Sequence, residues 1–341
     1  MVDRIDSSKR SKKLTKLRYS LWGLTQKNLK QVYYIVVFSR FLVPRFWSQF
    51  ILRFKLKRIQ AFDADYVYER VNYYNKLTEC STIKDKLESL KDYKLPERQR
   101  VYYFDSYQYI RYFSFKKRAN FLFGDVTTVP DLPAFVKSRP IHGDNRNSVV
   151  LKLVKARHFL FVNDPVPFAE KKDMLIGRSA VSQPHRQKFL EMYFDHPMCN
   201  VGQINLNEDS HRWQLPKITL REHLNYKFIL CLEGNDVATN LKWVMSSNSL
   251  AVMPKPIYET WFMEGKLIPD YHYVEIKSDY SDLQERLSYY IEHEDEALQI
   301  IQNANNYVKQ FKNKKRESLI SLMVIKKYFD MTGQGPFAGA N

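Results

Sequence analysis

The groups best placed for chemistry stand in one short stretch, "FILCLEGNDVATNLKWVM" (residues 228–245). There an apolar run stops at Glu233-Gly234-Asn235-Asp236 and a helical pattern resumes at once. Gly234 permits close approach of the backbone to a ligand. A helix starting near Thr239 would aim its unpaired N–H groups and positive dipole end at this turn, a natural seat for phosphate. Asn240 and Lys242 add donors for phosphate oxygens or a sugar hydroxyl. A plain strand-to-helix connection has the same composition, so the surroundings must decide. The next apolar run ends in "MPKP" and leads into "YETWF". Glu259 there would either favour a helix N-terminus or accept hydrogen bonds from a sugar. Two adjacent strand ends, each with polar groups beside aromatics, suit a nucleotide-sugar better than a protein interface.

The elements that must position these groups follow an alternating pattern. The runs "DMLIG", "KFILCL", "LAVMP" and "HYVEI" alternate with helical stretches starting near His185, Thr239, Tyr258 and Ser281. Strands alternating with helices predict βαβ units and a parallel sheet, whose ligands gather at the carboxyl ends of the strands. Ser281, with Gln284 three residues on, predicts a capping box. Upstream, residues 63–115 read as tyrosine-rich helices. "NFLFGDVTTVPDLPAFVKSRPI" is an apolar segment with a Gly-Asp turn and two proline bends, and "SVVLKLV" and "HFLFVND" read as strands. The polar loop at 142–147 marks a boundary. The expected parts are a basic segment over 1–60, domains over 61–150 and 151–332, and a loose tail over 333–341.

Charge separates the first segment from the rest. Of a net +17, residues 1–60 hold 15 Lys and Arg against Asp3 and Asp6, a net of +13. In "RFLVPRFWSQFILRFKLKRI", Trp47, Phe50, Ile51 and Phe54 recur at helical spacing, with Arg53, Lys55, Lys57 and Arg58 beside them. A basic amphipathic helix with such an apolar face suits an anionic membrane surface; a helix packed on its own domain is the other reading. No nucleic-acid module follows, so no nucleic-acid partner is expected. Three cysteines with no metal-ligand spacing suit a reducing compartment. The start lacks a signal-peptide pattern, and the most apolar run is too short to span a bilayer. A cytoplasmic, membrane-peripheral protein is expected.

Residues 226–283, "YKFILCLEGNDVATNLKWVMSSNSLAVMPKPIYETWFMEGKLIPDYHYVEIKSDYSDL", closely resemble the glycosyltransferase family 90 domain, nearest to its bacterial lipopolysaccharide branch. The likeness extends back through "RHFLFVNDPVPFAEKKDMLIGRSAVSQPHRQKFLEMYFDHPMCNVGQ" to "FGDVTTVPDLPAFVKSRPI". The resemblance implies a GT-B-like α/β fold, with two Rossmann-like domains facing across a cleft. It also implies metal-independent, inverting transfer from a nucleotide-diphosphate sugar with no separate cofactor. In keeping with that, no Asp-x-Asp is flanked by apolar strand residues; "DAD" at 63–65 and "HEDE" at 293–296 fall in helical patterns. Two departures stand out. The family's usual Trp-Arg-Gly appears as Gly177-Arg178-Ser179. Ala238 and Asn240 stand where animal members carry serine and arginine. On this reading Arg178, Arg186, Glu233, Gly234, Asn235, Thr239, Asn240, Lys242 and Glu259 form the donor site.

Inversion in one displacement needs a carboxylate to take the acceptor's proton. Asp125, after an apolar strand and at the position resembling the family's aspartate, is the candidate. Asp131 and then Asp164 follow it, and His158 and His185 are further bases or phosphate donors. The expected activity is transfer of a hexose, from a UDP-sugar by preference, to a lipopolysaccharide or other lipid-linked glycan on the inner face of the membrane. The rival is a catalytically inactive glycan- or anionic-membrane-binding protein that keeps the fold.

Overall fold

The computed structural model describes residues 30–78, 84–205 and 211–335. The basic residues 1–29 and the end of the expected tail lie outside them. The described helices are α1 (Lys30–Ser39), α2 (Arg45–Lys57), α3 (Ala64–Tyr74), α4 (Arg100–Ile110), α5 (Lys155–His158), α6 (Pro184–Tyr193), α7 (Leu220–His223), α8 (Leu241–Val244), α9 (Leu283–Glu292), α10 (Glu294–Lys309) and α11 (Lys314–Phe329). The strands are β1 (Asn120–Leu122), β2 (Ala134–Val136), β3 (Ser138–Pro140), β4 (Ser148–Val150), β5 (Lys172–Ser179), β6 (Cys199–Gln203), β7 (Tyr226–Leu230), β8 (Leu250–Met253), β9 (Tyr258–Thr260) and β10 (Val274–Glu275).

The alternation of strands and helices produces the parallel sheet it predicts. Five strands lie in the order β10-β8-β7-β5-β6, all neighbours parallel. Both faces are buried, which is why the strands read as unbroken apolar runs. Phe228, Leu250 and Val252 face a core with Phe189, Leu287 and Ile300. Ile229, Ala251 and Met253 face the larger core, which continues through Val136, Val150 and Ile325. In the first half, among the described residues, three short strands pair with one another in the order β1-β2-β4, again parallel.

Two features join the halves. β3 pairs antiparallel with β9, setting Arg139 opposite Glu259. Their side chains form a buried ion pair, Arg139 Nε to Glu259 Oε1 at 2.7 Å. The C-terminal α11 packs on the first half: Tyr328 donates to the Pro133 carbonyl at 2.7 Å, and Glu317 pairs with Arg70 of α3.

Several local expectations are corrected. "YETWF" opens as β9 rather than a helix, because β3 supplies a partner for its backbone. The helix expected from Thr239 is the single turn α8. Ser246 and Ser247 hydroxyls donate to the Trp243 and Val244 carbonyls at 2.9 and 2.6 Å, so the "SSNS" sequence ends the helix at once. "HFLFVND" is not a strand. Ser281 makes no capping box; its hydroxyl donates to Asp279 and α9 starts at Leu283. The tail is tied down where it begins, since buried Gln334 donates to the Arg118 carbonyl at 2.8 Å.

Candidate active site

The two parallel sheets direct their carboxyl ends at one cavity of about 380 Å³. Asp125 follows β1, Lys137 follows β2, Arg157 lies beyond β4, Arg178 and Ser179 end β5, and Gly234–Asp236 follow β7; all of them line it. Ligands of parallel α/β sheets collect at this end of the strands. Four cationic side chains, Lys137, Arg157, Arg178 and Arg186, face two carboxylates, Asp125 and Asp236.

Gly124 has φ +118°, a conformation open in practice only to glycine. It turns the chain so that Asp125 reaches the rim with 40% of its side chain exposed. Lys137 bonds Asp125 Oδ1, its Nζ also lies 2.5 Å from Asp236 Oδ2, and Asn235 donates to Asp125 Oδ2 at 3.3 Å. Partial burial pushes the Asp125 carboxyl up, but the Lys137 bond and charge prevail, with Asn235 and Arg157, and hold it below the usual aspartate range. Burial lowers Lys137, yet Asp236 and Asp125 hold it above the ordinary lysine value.

The expected donor residues divide. Arg178, Arg186, Gly234, Asn235, Thr239 and Asn240 line the cavity. Arg186 is fixed by the carbonyls of Glu233, Ala180 and Leu232 at 2.7–2.8 Å, and Arg178 by Asn200 and Pro216. A Cβ at Gly177 would meet the Leu230 Cβ at 3.1 Å, so Leu230 would have to give by a few tenths of an ångström to admit a side chain. Asn240 donates to the Leu230 carbonyl at 2.8 Å. Lys242 and Glu259 lie elsewhere. Lys242 is fully buried and pairs with Glu264 at 2.5 Å, and Glu259 is held by Arg139 and Tyr73. With α8 only one turn long, a helix dipole contributes little at Thr239.

Among the other bases, Asp164 is locked by Lys171 at 2.8 Å and by the backbone of Val166 and Asn248, and Asp131 is exposed outside the cavity. His185 contacts the Glu233 carbonyl. His158 lines the cavity, buried, with Nδ1 unbonded; burial, with Lys242, Lys137 and Arg157 nearby, keeps it neutral well below the usual histidine range. Lys137 and Arg157 escaped sequence reasoning, and Asp236, though part of the turn singled out, was given no role there. The signal for Lys137 was present: a lysine immediately after "AFV", at the end of a strand. Among the described residues no group of three or more His, Cys, Asp and Glu is gathered as metal ligands would be.

Glu233 stays out of the cavity, its Oε1 accepting from the Ile257 and Tyr258 N–H groups at 3.1 and 3.2 Å. Burial raises its carboxyl from 4.5 to about 7. A raised acid binds more protons folded than unfolded, so stability falls as pH rises from 4.5 towards 7 and is level above. The melting-temperature advantage of Glu233→Gln over wild type should therefore grow across that window, and parallel melting curves would refute it.

On α2, Phe46, Trp47, Phe50 and Phe54 are 52–63% exposed, with Arg53, Lys57 and Arg58 also exposed. Lys55 instead turns inward, its Nζ 5.1 Å over the Tyr112 ring. Among the described residues no single helix is long and apolar enough to cross a membrane.

A parallel α/β scaffold with a cationic cavity at its strand ends suits a transferase of anionic-donor sugars. The pattern described as Glycosyl transferase family 90 matches residues 163–331. The O-glucosyltransferase LpsA of Dichelobacter nodosus is 40% identical over 293 residues, covering 85% of this chain and 92% of that relative. The chain is therefore a glycosyltransferase, and it belongs to glycosyltransferase family 90.

Proposed function

We propose that the chain transfers a hexose, glucose as in its relative's name, from a UDP-sugar to a lipopolysaccharide or other lipid-linked glycan, with inversion and without metal. The observation that carries this reading is the set of four cations opposite Asp125 in one cavity at the strand ends. Residues 61–150 form the acceptor side and 151–332 the donor side of a GT-B-like pair. Asp125 takes the proton from the acceptor hydroxyl while that oxygen forms a bond to the anomeric carbon. The carbon–oxygen bond to the diphosphate breaks, and its electron pair leaves on the diphosphate, where Arg157, Arg178, Arg186 and Lys137 offset the charge. Lys137 has a second task. An arriving diphosphate competes for it, and its withdrawal from Asp125 strengthens the base when donor is bound.

Calorimetric titration of UDP-glucose, UDP, GDP and CMP without added metal tests the donor. UDP-glucose should bind wild type. Arg157→Ala should weaken it roughly tenfold to a hundredfold, as loss of a hydrogen bond to a charged group does. No heat with any nucleotide would sink the reading and favour the inactive binding protein.

The exposed aromatic face of α2 supports attachment to an anionic membrane on its inner side. Replacing Arg53, Lys57 and Arg58 with Glu should release the chain from phosphatidylglycerol vesicles, since each lost cation costs about 1 kcal/mol of attraction. Unchanged co-sedimentation would remove the membrane proposal.

A further inference from the structure

A second cavity, of about 550 Å³, lies between α1, α4, α5 and the start of α11; Lys155 and Ala156 of α5 line it, while Arg157 and His158 of the same turn line the first. Its two carboxylates are already satisfied. Asp105 takes Tyr33 Oη at 3.1 Å, the Lys155 N–H at 2.9 Å and Lys155 Nζ at 3.7 Å. Glu317 takes Arg70, Lys152 and Trp261 Nε1 at 2.6–3.0 Å. Three further cations line the cavity with no carboxylate at ion-pair distance among the described residues, although Asp105 stands near enough to Arg40 for its charge to act on it. Arg40 Nη1 is buried with no hydrogen-bond partner among the described residues, and Lys312 and Lys314 are exposed at the mouth. A buried unpaired guanidinium nitrogen forfeits hydrogen bonding that an anion would restore. The remaining wall is apolar, with Val36, Phe159, Phe161 and Phe311. It continues on α1 into exposed Ile35 and Phe38.

We propose that this cavity binds an anionic amphiphile carrying a phosphate. The phosphate sits on Arg40, Lys312 and Lys314, and an acyl chain runs along Phe159, Phe161 and the outer face of α1. Charge selects the anion, and the apolar wall selects the lipid over a free phosphate.

Full-length chain is titrated with dihexanoyl phosphatidic acid, dihexanoyl phosphatidylcholine and inorganic phosphate. The phosphatidic acid should bind, and the other two at least about tenfold more weakly. The double variant Lys312→Glu/Lys314→Glu should lose about tenfold in affinity for phosphatidic acid while its melting shift with UDP-glucose is unchanged. That second readout separates this site from the donor reading. In wild type, bound phosphatidic acid should also shield Lys312 and Lys314, but not exposed Lys315, from an acetylating reagent, whether or not the double variant folds. Dihexanoyl phosphatidylglycerol and an acylated glucosamine phosphate form the two source arms. Tighter binding of the first names the bilayer as source, and of the second a glycolipid. Equal binding of inorganic phosphate, or no shielding, overturns the proposal.

Discussion

Asp125→Asn should reduce sugar transfer by on the order of a thousandfold, the middle of the range for loss of a general base, while the melting temperature stays close to wild type and donor affinity holds or rises, since the variant frees Lys137 for the diphosphate. The fold should tolerate it because the side chain is 40% exposed and Lys137 keeps Asp236 as a partner. The pH profile carries a second signature. Lys137 holds Asp125 below the usual aspartate range, so with Asp125 as the proposed base the free enzyme should keep it ionised across neutral pH and lose activity only as pH falls through that lowered value. If the donor draws Lys137 away, the acid limb of kcat lies at higher pH than that of kcat/KM. Transfer within tenfold of wild type in the asparagine variant would dismiss Asp125 as the base.

Glu317→Ala should destabilise the chain by about 3–5 kcal/mol, the cost of leaving buried charge uncompensated. Its carboxylate, only 4% exposed, receives Arg70 and Lys152 at 3.0 Å and the Trp261 indole at 2.6 Å. Trp261 stacks on Tyr74 at 3.8 Å, and Tyr74 Oη in turn meets Arg70. One substitution therefore loosens α3, α11 and the segment after β9 together. Burial pushes the Glu317 carboxyl up, but Lys152 and Arg70 outweigh it and the group lies below its ordinary value. A lowered acid contributes stability present above the unfolded value and lost as pH falls through the folded one, so the gap between wild type and variant should narrow in acid. Denaturant unfolding at neutral and acid pH checks both statements; a loss under about 1 kcal/mol would contradict the role given to this network.

The sheet of the second half was legible because strands buried on both faces leave unbroken apolar runs. The turn after β7 was legible because glycine and polar residues interrupt such a run. The place of Asp125 at the cavity was legible from the apolar strand and Gly-Asp turn before it, while its role comes from the family resemblance. The misreadings share a physical origin in distant pairing. Lys242 looks like a free donor beside the turn, and only Glu264 makes it a buried partner. "YETWF" has a helical look, and only β3, about 120 positions earlier, makes it a strand. Lys137 and Arg157 follow β2 and β4, and nothing local announces that this sheet ends where β5 and β7 end.

The buried arginines of the first half have a consequence for biosynthesis. Arg139 and Arg70 meet their counter-charges at Glu259 and Glu317, 120 and 247 positions downstream. A ribosome delivers the arginines early and the glutamates late. Through most of translation the first half should therefore hold cations that cannot enter its interior favourably, and it should stay incompletely closed until the last long helix is made. Both halves of the cavity should thus become competent together, at the end of synthesis.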